Sequence, residues 1–527
     1  MCGIWAYIAK HKKDYYNYFT KISHRGPDAS IFMNFHETSI GFHRLAIVNK
    51  NLKGMQPFFD NNIIFICNGE IYNYKEINSN YNIQNVNSDC NCILELYKTL
   101  EFNDFIRVIN NELIGEFAFI ILHYNDDGLN KIVAGRDIFG VRPLYYSKNN
   151  NNDYLFSSEI KGIPPEFEQV NEFPCGSIIS FNYLNKTETI YDITNNIYNL
   201  PLNKNYNLED IKTQLINAVK IRLMADDLND IGFYLSGGLD SSIICSIASK
   251  LVYPKQIKTF SIGFEGSTDL PYAKKVAQYI NSIHKEIIIS EEDALNAIDD
   301  VIYATCTYDI TTIRASCGQY LLSKYIKDFT NIRIIINGDG SDEVLGGYIF
   351  NYYAPSPIDF HNSCMKYTKE IHMYDGRRLD RTLAFFGLEA RVPFLDINFV
   401  KTIWELPPKI RMPTYNNCEK FLLRQVFNDD KYLPEDCLFR KKEAFSDGIS
   451  SKDKSWFNII ANKINTIIND NIDIGECPSK EAYYYKSKFI EYFGEKRLNI
   501  IPHYWQPDFL KDNNYVDPSA RTLKIYN

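Results

Sequence analysis

The chain has 527 residues, enough for two large domains or three to four smaller ones. Its 57 basic and 65 acidic residues give a formal net charge of −8, which argues against a nucleic-acid-binding protein, because such a protein carries a basic surplus. Hydrophobic residues make up 45% and charged residues 23%, so the chain can bury a substantial core and is not disordered.

The cysteines and the amino terminus predict the compartment. Twelve cysteines are too sparse for a disulfide scaffold, and they lack the paired spacing with nearby histidines that a structural zinc site needs. The first nine residues are apolar but follow no basic leader, and no run reaches the roughly 18 apolar residues of a membrane span. We therefore expect a soluble, cytoplasmic protein that does not enter a membrane.

Residues 1–195 are predicted to form an α+β domain rich in antiparallel strands. Short β-branched and aromatic runs alternate with turns at 40–48, 63–67, 117–123, 131–134, 143–146 and 177–181. Helical spacing at 15–19 and 91–100 predicts two helices that pack on the sheets. Residues 196–207 are rich in Asn, contain Pro201 and are predicted to be a linker.

Residues 208–527 show a different pattern, in which strands alternate with helices. We predict helices at 208–224, 241–251 and 272–281 and strands at 232–235, 258–264, 286–289 and 332–336. This alternation predicts an α/β domain with a mostly parallel sheet and crossover helices. Residues from 364 onward are predicted to be mainly helical.

Cys2 is a candidate nucleophile, because it becomes the first residue if Met1 is removed. A cysteine there combines a thiol with a free α-amine of unperturbed pKa about 7.7–8.0, so one residue could supply both nucleophile and base. By position alone, a small buried cysteine is the commoner explanation. The motifs that follow in the chain decide between the two.

The amino-terminal domain carries a set of short motifs. They are Cys2-Gly3-Ile4, His24-Arg25-Gly26-Pro27-Asp28, residues 41–48, Asn68-Gly69-Glu70-Ile71-Tyr72-Asn73, Ser88-Asp89, Gly135-Arg136-Asp137 and residues 140–145. Together they resemble the glutaminase domain of the N-terminal-nucleophile amidotransferases, which implies a four-layer αββα fold. The resemblance makes Cys2 the nucleophile, Asn68 and Gly69 the oxyanion site, and gives glutamine contacts to Arg44, Leu45, Ala46, Ile47, Val48, Asn68, Gly69, Glu70 and Asp89.

The chemistry of these residue types agrees with those roles. An Asn-Gly turn can offer a side-chain amide and a backbone N–H to a tetrahedral oxyanion. Arg44 can pair with the α-carboxylate of glutamine through two bonds, and Asp89 can hold its α-ammonium group. Either residue alone would more often be part of a surface ion pair.

A glycine-rich string in the second domain predicts a phosphate site. Residues 231–235 lead into Ser236-Gly237-Gly238-Leu239-Asp240-Ser241-Ser242 and an apolar helix. Small residues and a helix N-terminus together favour a bound anion. The string resembles the pyrophosphate loop of enzymes that cleave ATP between the α- and β-phosphates, and no Gly-x-x-x-x-Gly-Lys-Ser/Thr motif is present.

A second acidic turn, Asn337-Gly338-Asp339-Gly340-Ser341-Asp342-Glu343, follows a buried strand. Carboxylates on such a turn lie where α/β folds bind their ligands, and Mg²⁺ prefers carboxylate and phosphate oxygens. We therefore predict that Asp240 and Asp342 bind magnesium.

With further motifs at 308–316, 389–396 and 441–448, the chain resembles the glutamine-hydrolysing asparagine synthetases, from Cys2 to the tail at 517–519. The resemblance implies MgATP-dependent synthesis of L-asparagine from L-aspartate and L-glutamine through β-aspartyl-AMP and transferred ammonia. It also implies a homodimer. It makes Asp339 catalytic, gives Thr311, Thr312 and Arg314 to aspartate or the intermediate, and gives ATP contacts to Leu235, Ser236, Gly237, Gly238, Asp240, Ser241, Ile262, Asn337, Gly338 and Lys442.

One departure and two alternatives stand beside this hypothesis. Related sequences usually have Ser-Gly-Glu where this chain has Asn337-Gly338-Asp339, so the acid is one methylene shorter. The alternatives are a related amidotransferase or β-lactam-forming synthetase that adenylates another carboxylate, and a catalytically silent regulatory paralogue. The presence of Cys2, Asp240 and Asp342 argues against the silent paralogue.

Overall fold

The computed structural model describes residues 1–84, 88–203, 205–429, 431–451, 454–469 and 471–510, so the tail motif at 517–519 lies outside the described residues. In the amino-terminal domain the strands form two six-stranded antiparallel sheets, ordered β10-β8-β9-β1-β3-β2 and β12-β11-β7-β6-β5-β4. The strands are β1 (Gly3–Ile8), β2 (Ala29–Phe35), β3 (Thr38–Arg44), β4 (Phe58–Asp60), β5 (Ile63–Ile71), β6 (Gly115–Asn125), β7 (Gly128–Arg136), β8 (Tyr145–Lys148), β9 (Tyr154–Ser157), β10 (Val170–Glu172), β11 (Ser177–Asn182) and β12 (Thr187–Asp192).

The two sheets pack face to face because their strands alternate side chains between the faces. On β5, Ile64 and Ile66 join a cluster between the sheets with Ile4 of β1. Phe65 and Cys67 point the other way, towards a helical layer. The helices of this domain are α1 (Tyr16–Thr20), α2 (Tyr74–Asn80), α3 (Asn91–Thr99) and α4 (Phe102–Asn111).

The predicted αββα layering is confirmed, and its second helical layer is shared between domains. Helices α2 to α4 cover the outer face of one sheet. The outer face of the other sheet, with Trp5 and Tyr7, packs on α1 and also on Ile298, Ile302 and Phe489 of the second domain. A large apolar face of the first domain is therefore buried only with the second domain in place.

The second domain contains the predicted parallel sheet, ordered β15-β14-β13-β16-β17. Its strands are β13 (Ile231–Tyr234), β14 (Lys258–Gly263), β15 (Ile283–Ile288), β16 (Ile334–Ile336) and β17 (Glu389–Arg391). The strand order reverses between β13 and β16, and α/β sheets bind ligands at the carboxyl ends of the strands beside such a switch point.

Helices surround this sheet, and the carboxyl-terminal part is mainly helical, as predicted. They are α5 (Glu209–Arg222), α6 (Leu239–Val252), α7 (Leu270–Tyr279), α8 (Glu291–Asn296), α9 (Ile298–Thr305), α10 (Ile310–Phe329), α11 (Ser341–Leu345), α12 (Pro357–Glu370), α13 (Asp375–Ala384), α14 (Ile397–Trp404), α15 (Pro408–Arg411), α16 (Pro413–Asn416), α17 (Phe421–Val426), α18 (Glu435–Leu438), α19 (Phe445–Gly448), α20 (Trp456–Ile467) and α21 (Lys480–Phe493). None of the helices in the described ranges is long and apolar enough to cross a membrane.

The segment between the domains runs from the end of β12 at residue 192 to the start of α5 at residue 209. It contains a 3-10 helix, Ile197–Asn199, and residue 204 of the predicted linker lies outside the described residues. Beside it, Leu45, Phe139 and Val141 of the first domain share one apolar cluster with Leu239 and Leu395 of the second. The two domains therefore meet through a continuous buried core.

Candidate active sites

Cys2 lies immediately before β1, where the two antiparallel sheets meet. Its backbone N–H donates to Asn68 Oδ1 at 2.9 Å, and its Sγ is 3.8 Å from the carbonyl oxygen of Leu45. Leu45 follows β3, which pairs with β1, whereas Asn68 is on β5 of the other sheet. The fold thus brings together three of the predicted site residues that are far apart in sequence.

Asn68 and Gly69 have the features of an oxyanion site. Asn68 Nδ2 is buried and has no hydrogen-bond partner within the described ranges. A Cβ at Gly69 would lie 2.6 Å from the backbone oxygen of Glu116, so only glycine fits there. Buried amide donors are normally satisfied, and an unmet donor beside a thiol suits a developing negative charge.

Arg44 and Asp89 are a buried cation and a buried anion. The guanidinium of Arg44 donates to the carbonyls of Asn51 and Asn49 at 2.7 and 2.6 Å, and no acid pairs with it in the described part of the chain. Asp89 Oδ2 accepts the backbone N–H of Ile71 at 2.8 Å, and burial raises the pKa of Asp89 to about 6. Both groups are suited to a zwitterion that supplies the missing counter-charges.

The predicted contact segment 45–48 is already partly bonded to its surroundings. The backbone N–H of Ala46 donates to Asp28 Oδ2 at 2.7 Å, and the carbonyl of Ile47 accepts the N–H of Asp226 at 3.4 Å. The side chain of Ile47 is buried in the core, and Val48 is half-buried. These bonds fix the loop beside Cys2, and the Leu45 carbonyl is the part of it that reaches the thiol.

The second domain reaches this site through β17. Arg391 pairs with Glu389 at 2.9 Å and with Glu70 at 3.3 Å, and the Met1 ammonium is buried 3.7 Å from Glu389. Burial lowers the pKa of the Met1 α-amine to about 6 and raises that of the Cys2 thiol to about 11. Burial also raises the pKa of Glu70 well above its ordinary value, and Glu389 adds to the shift. With Met1 in place, the thiol is therefore protonated at neutral pH.

A second candidate site is a cavity of about 250 Å³ at the carboxyl ends of β13 and β16. The predicted residues that line it are Leu235, Ser236, Gly238, Asp240, Ser241, Ile262, Thr311, Arg314, Asn337, Gly338, Asp339, Asp342 and Lys442. Gly237 and Thr312 do not line it. Gly237 has φ +78°, and a Cβ there would lie 2.4 Å from the backbone N of Ala273, so it allows the loop to turn tightly against α7.

The two glycine-rich loops pack directly on each other. A Cβ at Gly338 would lie 2.8 Å from the backbone N of Ser241, and Ser341 Oγ donates to Asp240 Oδ1 at 2.7 Å. Within the first loop, the hydroxyls of Ser236 and Ser241 are 3.0 Å apart. The N-terminus of the 14-residue helix α6 therefore faces the cavity at a point where the backbone of the second loop is also close.

Two lysines bind the predicted magnesium ligands. Lys420 Nζ lies 2.6 Å from Asp240 Oδ2 and 2.5 Å from Asp342 Oδ1, and Lys442 Nζ lies 2.6 Å from Asp342 Oδ2. Burial alone would raise the pKa of Asp342, but the two ammonium groups hold it well below its ordinary value. The Asp342 carboxylate is therefore ionised, and Asp240 lies close enough to it for both to contact one cation.

Asp339 lies in a group of mixed charge at the wall of the same cavity. Its Oδ1 is 3.1 Å from Arg378, which also pairs with Asp375 at 3.0 Å. Asp339 Oδ2 is buried without a hydrogen-bond partner in the ranges described. Burial raises the pKa of Asp339, and the nearby Asp375 raises it further, against the opposing effect of Arg378.

The predicted aspartate-binding residues lie at the start of α10. Both threonine hydroxyls, those of Thr311 and Thr312, donate to Asp309 Oδ2 at 2.7 Å. Asp309 caps the helix, because the same oxygen accepts the backbone N–H of Thr312 at 2.9 Å. Arg314 faces the cavity and is held by two bonds to Glu481, from Nε at 2.8 Å and from Nη2 at 2.6 Å. This two-pronged pair fixes the direction of the guanidinium.

The comparisons with known proteins agree with both halves. A family model for asparagine synthase matches residues 210–362 and 356–508, and one for a glutamine amidotransferase domain matches residues 1–217. The chain is 38% identical over its full length to a probable glutamine-hydrolyzing asparagine synthetase of Acanthamoeba polyphaga mimivirus, of which the alignment covers 100%. It is also 38% identical over its full length to the glutamine-hydrolyzing asparagine synthetases of Gallus gallus and Mus musculus, with 99% of each covered. The chain belongs to the glutamine-hydrolysing asparagine synthetase family.

Sequence reasoning missed several residues that line or support the synthetase cavity of this family member. Lys420 lies between the two predicted metal ligands, Arg378 pairs with Asp339, and Glu481 orients Arg314. Each lies far along the chain from its partner and belongs to no motif identified above. The sequence shows that Asp240, Asp339 and Arg314 carry charges that need partners. It does not show which distant residues supply those partners.

Proposed function

We propose that the chain synthesises L-asparagine from L-aspartate and L-glutamine, using ATP as co-substrate and releasing glutamate, AMP and pyrophosphate. One observation carries the proposal. A single chain holds a half-buried cysteine beside an amide donor that has no partner among the described residues, and a separate cavity at a switch point lined by a pyrophosphate-type loop and paired carboxylates.

In the first half-reaction, removal of Met1 would make Cys2 the terminal residue. Its α-amine would then take the thiol proton, and the thiolate would attack the side-chain amide carbon of glutamine. The α-ammonium would return the proton to the amide nitrogen as the C–N bond breaks, so that ammonia leaves and a thioester remains on Cys2. Asn68 Nδ2, which has no hydrogen-bond partner in the part of the chain that the structure describes, would donate to the oxyanion of the tetrahedral intermediate. Water would then hydrolyse the thioester and release glutamate. Arg44 and Asp89 would hold the two charges of the amino-acid end.

In the second half-reaction, the β-carboxylate of aspartate attacks the α-phosphorus of ATP, and pyrophosphate leaves. The backbone of residues 236–241 and the N-terminus of α6 favour bound phosphate. Lys442, as a compact ammonium, neutralises phosphate charge. Arg314 faces the same cavity, where it would bind aspartate or the adenylate.

The residues present fit a magnesium ion. Asp240 and Asp342 already converge on the single ammonium of Lys420, at 2.6 and 2.5 Å. Mg²⁺ typically takes one or two carboxylates together with phosphate oxygens and water, so these two side chains are sufficient. When bound, the ion would neutralise the charge of the departing pyrophosphate.

In the last step ammonia attacks the adenylate, and AMP leaves. Asp339, whose pKa burial raises and whose Oδ2 has no hydrogen-bond partner among the described residues, would accept a proton from the attacking nitrogen. The apolar cluster that joins the two domains, which includes Leu45, Val141 and Leu395, would keep ammonia neutral on its way between the sites.

The likeness to the family supports three further parts of the proposal. We propose the domain boundaries 1–195 and 208–527 with a linker at 196–207, a cytoplasmic location, and a homodimer. Each is an expectation from the sequence. Limited proteolysis would test the domain boundaries, cell fractionation the location, and size-exclusion chromatography the homodimer.

One assay tests the whole proposal. Purified protein is incubated with Mg-ATP, aspartate and glutamine, and asparagine, AMP and pyrophosphate are quantified. We expect equal yields of the three products. Release of ADP, or ATP cleavage that does not depend on aspartate, would overturn the proposal.

A further inference from the structure

Gln319, in the middle of α10, is a polar side chain on an apolar part of the synthetase cavity. It is only 4% exposed, yet it lines the cavity, and its Oε1 has no hydrogen-bond partner among the described residues. A buried amide oxygen without a partner is costly and rare in native proteins. The Oε1 of Gln319 is therefore a candidate for a hydrogen bond with a ligand bound in the cavity.

The residues around Gln319 form one wall of the cavity, and their polar groups already have partners whereas Gln319 Oε1 has none among the described residues. Phe260, Ile262 and Leu322 line the cavity with it and are apolar. The two hydroxyls on this wall already have partners. The hydroxyl of Tyr234 bonds to Ser323 Oγ at 2.7 Å, and Ser261 Oγ lies 3.1 Å from His284 Nε2.

This wall is suited to the base of the nucleotide rather than to its phosphates. It is formed by the end of β13, by β14 and by the middle of α10. The charged residues Asp240 and Asp342 belong instead to the two glycine-rich loops, and Lys442 is paired with Asp342. A flat heterocycle buries well against Phe260 and Ile262. The inference rests on the proposed function, since it takes ATP as the occupant of the cavity.

We propose that the side-chain amide of Gln319 recognises the adenine ring of ATP. A glutamine amide offers one acceptor and one donor edge, which match the exocyclic amine and the neighbouring ring nitrogen of adenine. Guanine and hypoxanthine present an oxygen in place of that amine, so Oε1 would face another acceptor as long as the amide keeps the orientation that pairs with adenine. Gln319 is thus a specificity-determining residue for the nucleobase.

The test compares ATP with purine riboside triphosphate, which lacks the 6-amino group, and with inosine triphosphate. We measure kcat/KM from aspartate-dependent pyrophosphate release for the wild type and for Gln319→Met, which keeps a similar length but has no hydrogen-bonding end. We expect the wild type to favour ATP over both analogues by about tenfold. In Gln319→Met that preference should fall to near unity.

Each ratio is taken within one variant, so partial unfolding of Gln319→Met does not alter it. Gln278→Met, the same change at an exposed position on α7, is the control and should keep the wild-type preference. An unchanged preference in Gln319→Met, or a rise in KM for aspartate alone, would overturn the inference. Failure of the wild type to release pyrophosphate from any of the three would instead overturn the proposed function.

Discussion

The two candidate active sites differ in how their polar groups are satisfied. In the glutaminase site Asn68 Nδ2 has no partner in the described structure, and the guanidinium of Arg44 is held by carbonyls rather than by an acid. In the synthetase site the carboxylates proposed to bind magnesium are paired with lysines, since Asp342 contacts both Lys420 and Lys442. The residues proposed to hold the charges of glutamine have no charged partner among the described residues, whereas those proposed to hold magnesium already form ion pairs.

This difference predicts different sensitivities. In the glutaminase site, a substitution of Asn68, Arg44 or Asp89 removes an interaction with substrate and hydrogen bonds to backbone groups, but it leaves no buried charge without its ionic partner. In the synthetase site, removal of one charge leaves a buried partner charge uncompensated, which is destabilising as well as inactivating. In the proposed mechanism, binding of ATP with magnesium would also exchange the Lys–Asp pairs for contacts with phosphate and metal.

The largest expected effect is that of Asp342→Asn. The substitution removes a proposed metal ligand and leaves Lys420 and Lys442 with one carboxylate fewer between them. We expect pyrophosphate formation to fall by about a thousandfold with either glutamine or ammonium as nitrogen source. Glutamine hydrolysis alone should persist. Asp436→Asn, at an exposed ion pair with Lys275, is the matched control, and equal losses in both variants would contradict the prediction.

The second-largest expected effect concerns Asn68 Nδ2, the amide donor that has no partner among the described residues. Asn68→Ala should lower glutamate release by about 100- to 1000-fold, because it removes an oxyanion donor. Ammonium-dependent asparagine formation should remain at the wild-type rate. Asn80→Ala, at the exposed end of α2, controls for the loss of an amide. If ammonium-dependent activity fell in parallel, Asn68 would be supporting the fold rather than the chemistry.

The third effect is a dependence on pH. Burial raises the pKa of Asp89 to about 6, so its carboxylate is ionised above pH 6 and neutral below it. Only the ionised form can pair with the ammonium group of glutamine. We therefore expect kcat/KM for glutamine hydrolysis to fall by about tenfold per pH unit below 6.

In Asp89→Asn this inflection should disappear, and kcat/KM at pH 8 should be about 100-fold lower than in the wild type. The measurement is glutamate release between pH 5 and 8 under first-order conditions. An inflection that persists in Asp89→Asn would assign the titration to another group.

The smallest effect is that of Asp339→Glu. The longer acid restores the residue usual in related sequences, and we expect synthetase turnover to be retained or raised by a few-fold. Arg378, which lies 3.1 Å from Asp339, would keep its ionic partner. A large fall in steady-state asparagine formation would show that this pocket has adapted to the shorter side chain.

Much of the fold could be predicted from the sequence because local patterns encode it. The alternation of strands and helices after residue 208 predicts the parallel sheet, and the strand predicted at 258–264 is β14 (Lys258–Gly263). The amino-terminal strand β1 was not predicted. Its six residues are all buried, so the run lacks the period-two alternation of a half-exposed strand. Strand β12 was missed for the opposite reason, since it is largely exposed.

The candidate sites were predictable only where short motifs form them. Asn68 and Gly69 lie together because they are adjacent in one strand, and the loop at 236–241 follows from its own glycines. Lys420 and Glu481 reach their partners through tertiary packing across 180 and 167 residues, respectively. No local pattern specifies such pairs, because each side chain alone resembles an ordinary surface charge.

The central claim is that one chain holds two separable reaction centres joined by transferred ammonia. The most direct test compares Cys2→Ala with the wild type under two nitrogen sources, glutamine and ammonium chloride, with asparagine as the product measured. We expect glutamine-dependent synthesis to fall by at least about a thousandfold while ammonium-dependent synthesis is unchanged. Loss of both activities, or survival of both, would contradict the division of labour between the two sites.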